Sequence, residues 1–353
     1  MAVSRRVRRA LGCAAVVSAL TTFGGVLAVP AQAHGGAPLR LPDNCAGTTP
    51  ITCHFDVPPG NYQVSVLLGG TAEGSTSVSA EARRTMLAET GTAAGEHVLR
   101  TFTVNVREAE AEPTGAVGSP GLDLHFGGSA PRLAGLHVTP ARQAPQILLV
   151  GDSTVCDQPG APYTGWGQEL PQLLRGRVAV ANYADSGESS QSVLDNPLLF
   201  DAVESRIRRG DLVLIQLAHN DKSTSAETYR ANLTTMAERV VAKGGQPVFV
   251  TPIVRRRFNS DGTLNSVALH VMAANLPVEM RAVAAELDVP LIDLTQLSKE
   301  LVERLGVEAS KDLFLTNVNG DNTHTSSYGA LQFASLVTAE LRRQRLVPAH
   351  FVR

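Results

Sequence analysis

The sequence predicts a β sandwich followed by an α/β unit whose parallel sheet is covered by helices on both faces. Apolar and polar residues alternate between about residues 45 and 140, whereas continuous apolar runs separated by helical stretches follow residue 145. Alternation is typical of antiparallel strands with one buried face, and continuous runs are typical of parallel strands buried on both faces. A chain of 353 residues is long enough for both parts.

The composition is that of an ordinary globular protein. Hydrophobic residues make up 43% of the chain, charged residues make up 18%, and the formal net charge is −2. These values exclude a disordered, collagen-like or polytopic membrane protein. The low charge, the lack of a Lys/Arg stripe and an aromatic content of 5% argue against a nucleic-acid-binding surface.

Residues 1–33 have the pattern of an export signal. A basic head precedes an apolar run at about 10–29, and the segment ends in AQA at 31–33, which predicts cleavage before His34 and secretion. An uncleaved membrane anchor is the alternative, but Thr and Gly residues between positions 21 and 25 interrupt the run. Arg5 and Arg6 leave the general and twin-Arg routes open. Losing the four arginines of this segment takes the formal charge from −2 to −6.

Three of the four cysteines lie beyond this signal. Cys45 and Cys53 flank a short Thr/Pro loop, and an exported protein can keep them oxidised, so we favour a disulfide over two free thiols. Cys156 has no Cys or His pattern nearby, and we interpret it as a small apolar residue beside a core.

The predicted sandwich spans residues 34–143. Its candidate core residues recur with a period of two, in runs separated by Gly and Pro turns: Tyr62, Val64, Val66, Leu68; Phe102, Val104, Val106; Leu122, Leu124, Phe126; Leu136, Val138. Two roles stay open for this part, glycan binding and a purely structural lid.

The predicted α/β part spans residues 144–353. Apolar runs at 147–150, 178–180, 212–215, 248–250 and 291–292 alternate with helical stretches at about 197–209, 226–243, 276–287 and 326–343. Active sites of such sheets lie at the carboxyl ends of the strands, so catalytic residues should directly follow these runs.

Three of the runs are followed by residues suited to acyl transfer. Ser153 sits on a turn after the first strand, Gly187 follows the second, and Asn220 follows the third. A serine hydroxyl there is exposed for attack, and a glycine N–H and an amide side chain can stabilise an oxyanion. Each signal is weak alone, because such residues also form ordinary turns and caps.

A histidine and a carboxylate lie together just before the last helical stretch. His324 is a natural general base for a serine hydroxyl, and Asp321, three residues earlier, can orient its other ring nitrogen. Taken alone, His324 would be a solvated loop residue. None of the nine histidines shows the HExxH spacing of a zinc protease, so we expect no catalytic metal.

In this order, these residues resemble the block signatures of the SGNH (GDSL-type) hydrolase family over residues 146–343. The resemblance implies a flavodoxin-like three-layer fold and ester hydrolysis without a cofactor. It implies that Ser153 is the nucleophile, His324 the base and Asp321 its orienting carboxylate. It also implies an oxyanion hole made by the N–H groups of Ser153 and Gly187 and the amide of Asn220.

Several short sequence segments around these residues are similar to those of the rhamnogalacturonan acetylesterases. The similar segments are GDSTVCDQ at 151–158, GWGQ at 165–168, ADSGES at 184–189, TP at 251–252 with RRRF at 255–258, and DNTHT at 321–325. One position departs from the family: Ala218 stands where a Gly is usual, and a positive φ there would strain it. We therefore expect an altered rate or pocket shape.

The substrate implied by this resemblance is acetylated pectic rhamnogalacturonan, an acidic polysaccharide. Arg255, Arg256 and Arg257 are candidates for binding its carboxylates, with a solvated loop as the alternative. Trp166 either packs against a sugar or belongs to the core. An acetylxylan or general short-chain esterase is the second interpretation, and a glycan-binding protein with a degenerate hydrolase fold is the third.

Overall fold

A computed structural model describes residues 42–108, 110–115 and 118–353. The predicted export signal lies outside the described residues. The strands are β1 (Cys45–Gly47), β2 (Ile51–Phe55), β3 (Gly60–Gly69), β4 (Gly74–Ala80), β5 (Arg84–Thr92), β6 (His97–Val106), β7 (Leu122–Ala130), β8 (Leu133–Pro140), β9 (Gln146–Gly151), β10 (Ala179–Asn182), β11 (Leu212–Gln216), β12 (Gln246–Val250) and β13 (Leu291–Ile292). The helices are α1 (Trp166–Glu169), α2 (Ser190–Asp195), α3 (Ala202–Arg206), α4 (Ala226–Ala242), α5 (Leu276–Glu286), α6 (Leu294–Ala309), α7 (Thr316–Asn319) and α8 (Ser327–Arg343).

The first eight strands form two antiparallel sheets. One has the order β1-β2-β7-β4-β5 and the other the order β6-β3-β8. The alternating residues of β3, β6 and β7 that the sequence predicted as core are buried between these sheets, whereas Leu136 and Val138 of β8 are only partly buried. The predicted disulfide between Cys45 and Cys53 is present and joins β1 to β2.

The remaining strands form a parallel sheet of order β10-β9-β11-β12-β13. This is the flavodoxin-like order, in which the chain starts near one edge and reverses direction once. Alternate residues of β9 face opposite layers: Ile147 and Leu149 pack with α6 and α8, and Leu148 and Val150 pack with α4 and α5. The three-layer α/β fold and the preceding antiparallel β region are thus confirmed.

The four predicted helical stretches are helical, although the first is a π-helical turn at Pro197–Asp201 followed by α3. Helix α6 was missed by the sequence reading. Gly306 inside it has a φ of 70°, which interrupts the regular helix, and the helical periodicity of the sequence is weaker there. Within the described ranges, no helix combines the length and apolar character required to cross a membrane.

The β strands and the α/β part belong to one compact unit. The guanidinium of Arg84 at the start of β5 donates two hydrogen bonds, of 2.9 and 2.7 Å, to the carboxylate of Asp157, and both side chains are buried. Arg83 donates to the carbonyl oxygens of Gln158 and Tyr163. The predicted domain boundary at 143/144 falls in the connection between β8 and β9, and it stays a prediction.

Candidate active site

The turn after β9 presents Ser153 at the carboxyl edge of the parallel sheet. Asp152 braces this turn, because its Oδ1 accepts hydrogen bonds from the backbone N–H and the hydroxyl of Thr154, at 2.9 and 2.7 Å. The Nε2 atom of Gln158 donates to the carbonyl oxygen of Ser153 from the other side. The serine Oγ lies 2.9 Å from Nε2 of His324, so the nucleophile candidate and the base candidate are within hydrogen-bond distance.

His324 is oriented by Asp321 on the same loop. The Nδ1 atom of His324 lies 2.7 Å from Oδ2 of Asp321, and Oδ1 of Asp321 accepts the backbone N–H groups of Thr323 and His324. Burial opposes ionisation of this carboxyl, but the hydrogen bonds from His324 and the backbone hold the pKa of Asp321 below its ordinary value. An ionised Asp321 fixes the tautomer in which Nδ1 carries the proton and Nε2 can accept one.

Two of the three predicted substrate arginines instead hold the loop that carries the histidine. Arg255 is buried and donates to Oγ1 of Thr323 and to the carbonyl oxygen of His219. Arg256 is buried and donates to Oδ1 of Asn322. The prediction that they face the substrate is therefore wrong, because their guanidinium groups are used inside the protein. Arg257 is exposed and remains a candidate.

Gly187 and Asn220 occupy the loops next to the serine turn. Gly187 has a φ of 85°, which a side chain would strain, and a Cβ added there would meet no other atom, so the glycine is required for conformation rather than for space. The amide of Asn220 donates to the carbonyl oxygen of Glu188 at 3.0 Å, which ties the two loops together. Ala218 is not among the described residues with positive φ, so the condition under which an alanine would be strained there is not met.

Trp166 lies in the core and not in the cleft. Only 1% of its surface is exposed, and its indole N–H donates to Oε1 of Gln216 at 2.9 Å. Gln216 in turn donates to Oγ1 of Thr154, which links the tryptophan to the serine turn. Of the two interpretations left open for Trp166, the structure selects the core, and contact with a sugar is wrong; through Gln216 the indole supports the turn that carries Ser153.

A second carboxylate–imidazole pair lies beneath the serine turn. Oδ2 of Asp152 is 3.2 Å from Nδ1 of His219, and the ring of His219 packs edge-to-face on His270. Burial alone would raise the pKa of Asp152, but the neighbouring His219 and the hydrogen bonds from Thr154 lower it to about 2. Burial lowers the pKa of His219 and of His270. Nothing in the sequence pattern singled out these two histidines.

The loop between β6 and β7 brings a further residue that sequence reasoning missed. Oε1 of Glu112 accepts the backbone N–H of Ser186 at 2.8 Å and the thiol of Cys156 at 3.2 Å. Burial, followed by the nearby Glu112, raises the pKa of Cys156 well above its ordinary value, so the cysteine is a thiol donor here. The β region thus reaches the loop that carries Gly187.

Tyr163 is a second residue that the sequence did not single out. Its ring lies edge-to-face on the imidazole of His324, with 5.4 Å between ring centroids, and its hydroxyl accepts a hydrogen bond from Asn319. An aromatic edge beside the histidine limits the ring positions open to His324. No spacing rule could have found it, because the two residues lie 161 positions apart in the chain.

A parallel sheet with a serine, a histidine and a carboxylate at its carboxyl edge has the architecture of a carboxylic ester hydrolase of the SGNH class. The sequence profile of the GDSL-like lipase/acylhydrolase family matches residues 149–330, half of the chain, and the chain belongs to that family. The predicted family and the predicted ester-hydrolase activity are thereby confirmed.

Relatives of this chain include esterases of Bacillus subtilis. Rhamnogalacturonan acetylesterase RhgT is 40% identical over 208 residues, which are 54% of this chain and 87% of RhgT. The uncharacterized esterase YxiM is 31% identical over 303 residues, which are 83% of this chain and 74% of YxiM. The crystal structure of YxiM matches with a TM-score of 0.53 and 28% identity over 84% of this chain and 80% of that structure. Because the YxiM match is longer than the α/β part, it includes part of the β sandwich.

Proposed function

We propose that the protein is a secreted esterase that removes acetyl groups from pectic rhamnogalacturonan, with Ser153, His324 and Asp321 as its catalytic residues. The observation that carries this proposal is the hydrogen-bonded series from the Ser153 hydroxyl through the His324 ring to the Asp321 carboxylate. That series gives a hydroxyl a base for its proton and gives the resulting imidazolium a counter-charge. The name of RhgT supports the choice of substrate.

The reaction proceeds in two acyl-transfer steps. Oγ of Ser153 attacks the acetyl carbonyl carbon while Nε2 of His324 takes the hydroxyl proton, and the C–O bond to the sugar then breaks as His324 returns that proton to the leaving alcohol. Water attacks the acetyl-serine by the same route and releases acetate. The N–H groups of Ser153 and Gly187 and the amide of Asn220 stabilise the oxyanion in both steps.

The export prediction is supported by the disulfide between Cys45 and Cys53, because cystines persist in oxidising compartments. N-terminal sequencing of protein recovered from the culture medium tests it. We expect the sequence to start at His34. Recovery of the whole chain in the membrane fraction would contradict cleavage and support the anchor alternative.

Acetate release from two polymers tests the proposed activity. The purified protein is offered acetylated rhamnogalacturonan and acetylated xylan, with the Ser153→Ala variant as control. We expect preference for the pectic polymer and no measurable turnover by the variant. If the protein hydrolyses both polymers equally or prefers acetylated xylan, and Ser153 is still essential, the mechanism stands and the protein is instead an acetylxylan or general short-chain esterase. Undiminished turnover by the variant would overturn the assignment of the nucleophile.

A further inference from the structure

Two adjacent cavities lie along the seam between the β region and the edge strand β10 of the parallel sheet. The larger has a volume of about 690 Å³, the smaller has a volume of about 220 Å³, and Arg142 lines both. The larger cavity includes Arg177, just before β10, and the smaller includes Tyr183, just after it. The two cavities therefore follow β10 from its amino end to its carboxyl end, which is the edge where the active site lies.

The arginines that line these cavities are not accompanied by acidic side chains in the described part of the lining. Five arginines line them, and we call this set the arginine seam: Arg107, Arg142, Arg177, Arg206 and Arg208. None of the described residues that line either cavity is acidic. Five cations along one seam are notable in a chain whose formal charge is −2, and such a surface attracts polyanions.

Three of the five guanidinium groups are available for an external ligand. The other two are used internally. Arg107 is buried with its guanidinium 4.0 Å from the Asp157 carboxylate, and Arg208 donates to carbonyl oxygens of the β8–β9 connection and pairs with Asp211. Among the described residues, Arg142, Arg177 and Arg206 form no ion pair, and all three are exposed. A free guanidinium binds a carboxylate through two parallel hydrogen bonds, which a uronic acid offers.

The same cavities hold groups suited to the neutral parts of a sugar. Gln63 lines the larger cavity and is partly exposed, and its amide carries donor and acceptor groups that suit sugar hydroxyls. Phe351, Pro140 and Pro145 give the larger cavity apolar faces that suit the C–H face of a pyranose.

We propose that the arginine seam binds an acidic oligosaccharide, such as a run of uronate sugars, outside the catalytic centre. The seam holds the polyanionic backbone, while an acetylated unit further along the same chain reaches Ser153. The choice of ligand rests on the proposed function. It also accounts for a contrast in charge: the Gly187 loop carries Asp185 and Glu188 and is contacted by Glu112 of the β6–β7 loop, so that region does not itself attract a uronate.

Binding of unacetylated oligogalacturonate tests the seam without requiring catalysis. Titration calorimetry compares the purified protein with the Arg142→Gln/Arg177→Gln variant. We expect about tenfold weaker binding by the variant, because two charged hydrogen-bonding groups are lost. The Arg142→Lys/Arg177→Lys variant keeps the charge and should bind with intermediate affinity. A neutral xylo-oligosaccharide of equal length should not bind to the seam.

The matched control removes two exposed arginines elsewhere, in the Arg304→Gln/Arg345→Gln variant, and should bind as the wild type does. Equal loss of affinity in both double variants would mean that only the net charge matters and would overturn the proposal, as would no binding by the wild type. Acetate release from the pectic polymer separates the two proposals. If the wild type releases acetate with a normal kcat and KM but does not bind oligogalacturonate at the arginine seam, only the seam proposal is refuted. If it binds oligogalacturonate at the seam but releases no acetate, only the proposed substrate is refuted.

Discussion

The carboxylate of Glu112, in the loop between β6 and β7, accepts the backbone N–H of Ser186, in the loop after β10, at 2.8 Å, although the two residues lie 74 positions apart. This bond restrains the 185–186 peptide, which directly precedes the peptide whose N–H, on Gly187, we propose for the oxyanion hole. The β region is therefore in contact with the loop that carries Gly187. This contact supports the structural one of the two roles that the sequence left open for the β region.

Removal of the Glu112 carboxylate should slow catalysis more than it weakens substrate binding. In Glu112→Ala the Ser186 N–H loses its acceptor and the Gly187 peptide can turn, so we expect kcat to fall by about ten- to hundredfold with little change in KM. Glu112→Gln keeps an acceptor oxygen and should recover most of the rate. Steady-state kinetics on a small acetate ester measures both constants.

Glu73→Ala, in the exposed turn between β3 and β4, is the matched control for loss of a glutamate from the β region and should leave kcat unchanged. Thermal unfolding of each variant distinguishes a loss of rate caused by a misplaced Gly187 peptide from one caused by lower stability. An unaltered kcat in Glu112→Ala would contradict the positioning role. The positioning role would also be contradicted if the loss of rate in Glu112→Ala were explained by a lower Tm, or if Glu112→Gln did not recover the rate.

Asn220→Ala should reduce kcat by about 10²–10³, the usual cost of one lost oxyanion donor. Asn220→Asp should be at least as slow, because it places a negative charge where the oxyanion forms. Exposed Lys222 lies two residues further on, and Lys222→Ala serves as the control. Presteady-state kinetics on an activated acetate ester reports the acylation step. Equal acylation rates for wild type and Asn220→Ala would remove Asn220 from the oxyanion hole.

The buried pair of Arg84 and Asp157 should contribute strongly to stability. Arg84→Met leaves the buried Asp157 carboxylate with the amide of Asn182, at 2.8 Å, and with Arg107 as its nearest remaining cation, at 4.0 Å. We expect the free energy of unfolding to fall by about 3–5 kcal/mol. Adding Asp157→Asn should recover part of the loss, because it removes the uncompensated charge. Urea unfolding measures all three proteins.

An exposed ion pair provides the comparison for this prediction. Arg230 pairs with Glu286 at 2.5 Å on the surface, and Arg230→Met should lower the stability far less than Arg84→Met does, because water screens an exposed pair. If Arg84→Met costs no more than Arg230→Met, the contact between β5 and the serine turn does not hold the two parts together.

Glu81 should make the protein less stable as the pH rises. Burial, opposed mainly by Arg84, raises the pKa of Glu81 from 4.5 to about 8. The folded state therefore holds a proton that the unfolded chain loses above its ordinary pKa, so this contribution is full below about pH 4.5 and is lost as the pH rises through 8. Glu81→Gln keeps the oxygen that accepts the N–H of Asp123 and should flatten this dependence.

Urea unfolding at pH 5 and pH 8 checks the sign. Protonation of the unfolded forms of His219 and His270 lowers stability at pH 5, but it does so equally in wild type and variant. The stability gained by Glu81→Gln relative to wild type should thus be larger at pH 8 than at pH 5. An equal difference at both pH values would contradict a raised pKa for Glu81.

The sequence allowed the strands and the carboxyl-edge residues to be predicted because both depend on local pattern. Val64 and Val66 alternate with polar neighbours and are buried in the sandwich, and the run at 147–150 is buried on both faces. Ser153 and Asn220 directly follow their strands, so a parallel sheet brings them to one edge whatever the order of its strands. Asp321 and His324 lie on one loop, and their contact is also local.

The direction of individual side chains was not predictable in the same way. Arg255 and Arg257 are two positions apart after the same strand, yet one is buried against the histidine loop and the other is exposed. Trp166 had two open interpretations, and the packing of α1 under the serine turn selected the core. These outcomes depend on which element covers the residue, and that element is distant in sequence.

By itself, the sequence determined the two kinds of sheet, the disulfide loop and the order of the candidate catalytic residues, because period, spacing and turn chemistry act over a few residues. Only the tertiary structure decided that Arg84 and Glu112 of the β region support the serine turn and the Gly187 loop, and that five arginines line one seam. Contacts of this kind arise where two sheets dock, and the free energy of docking is a property of whole surfaces rather than of any short segment.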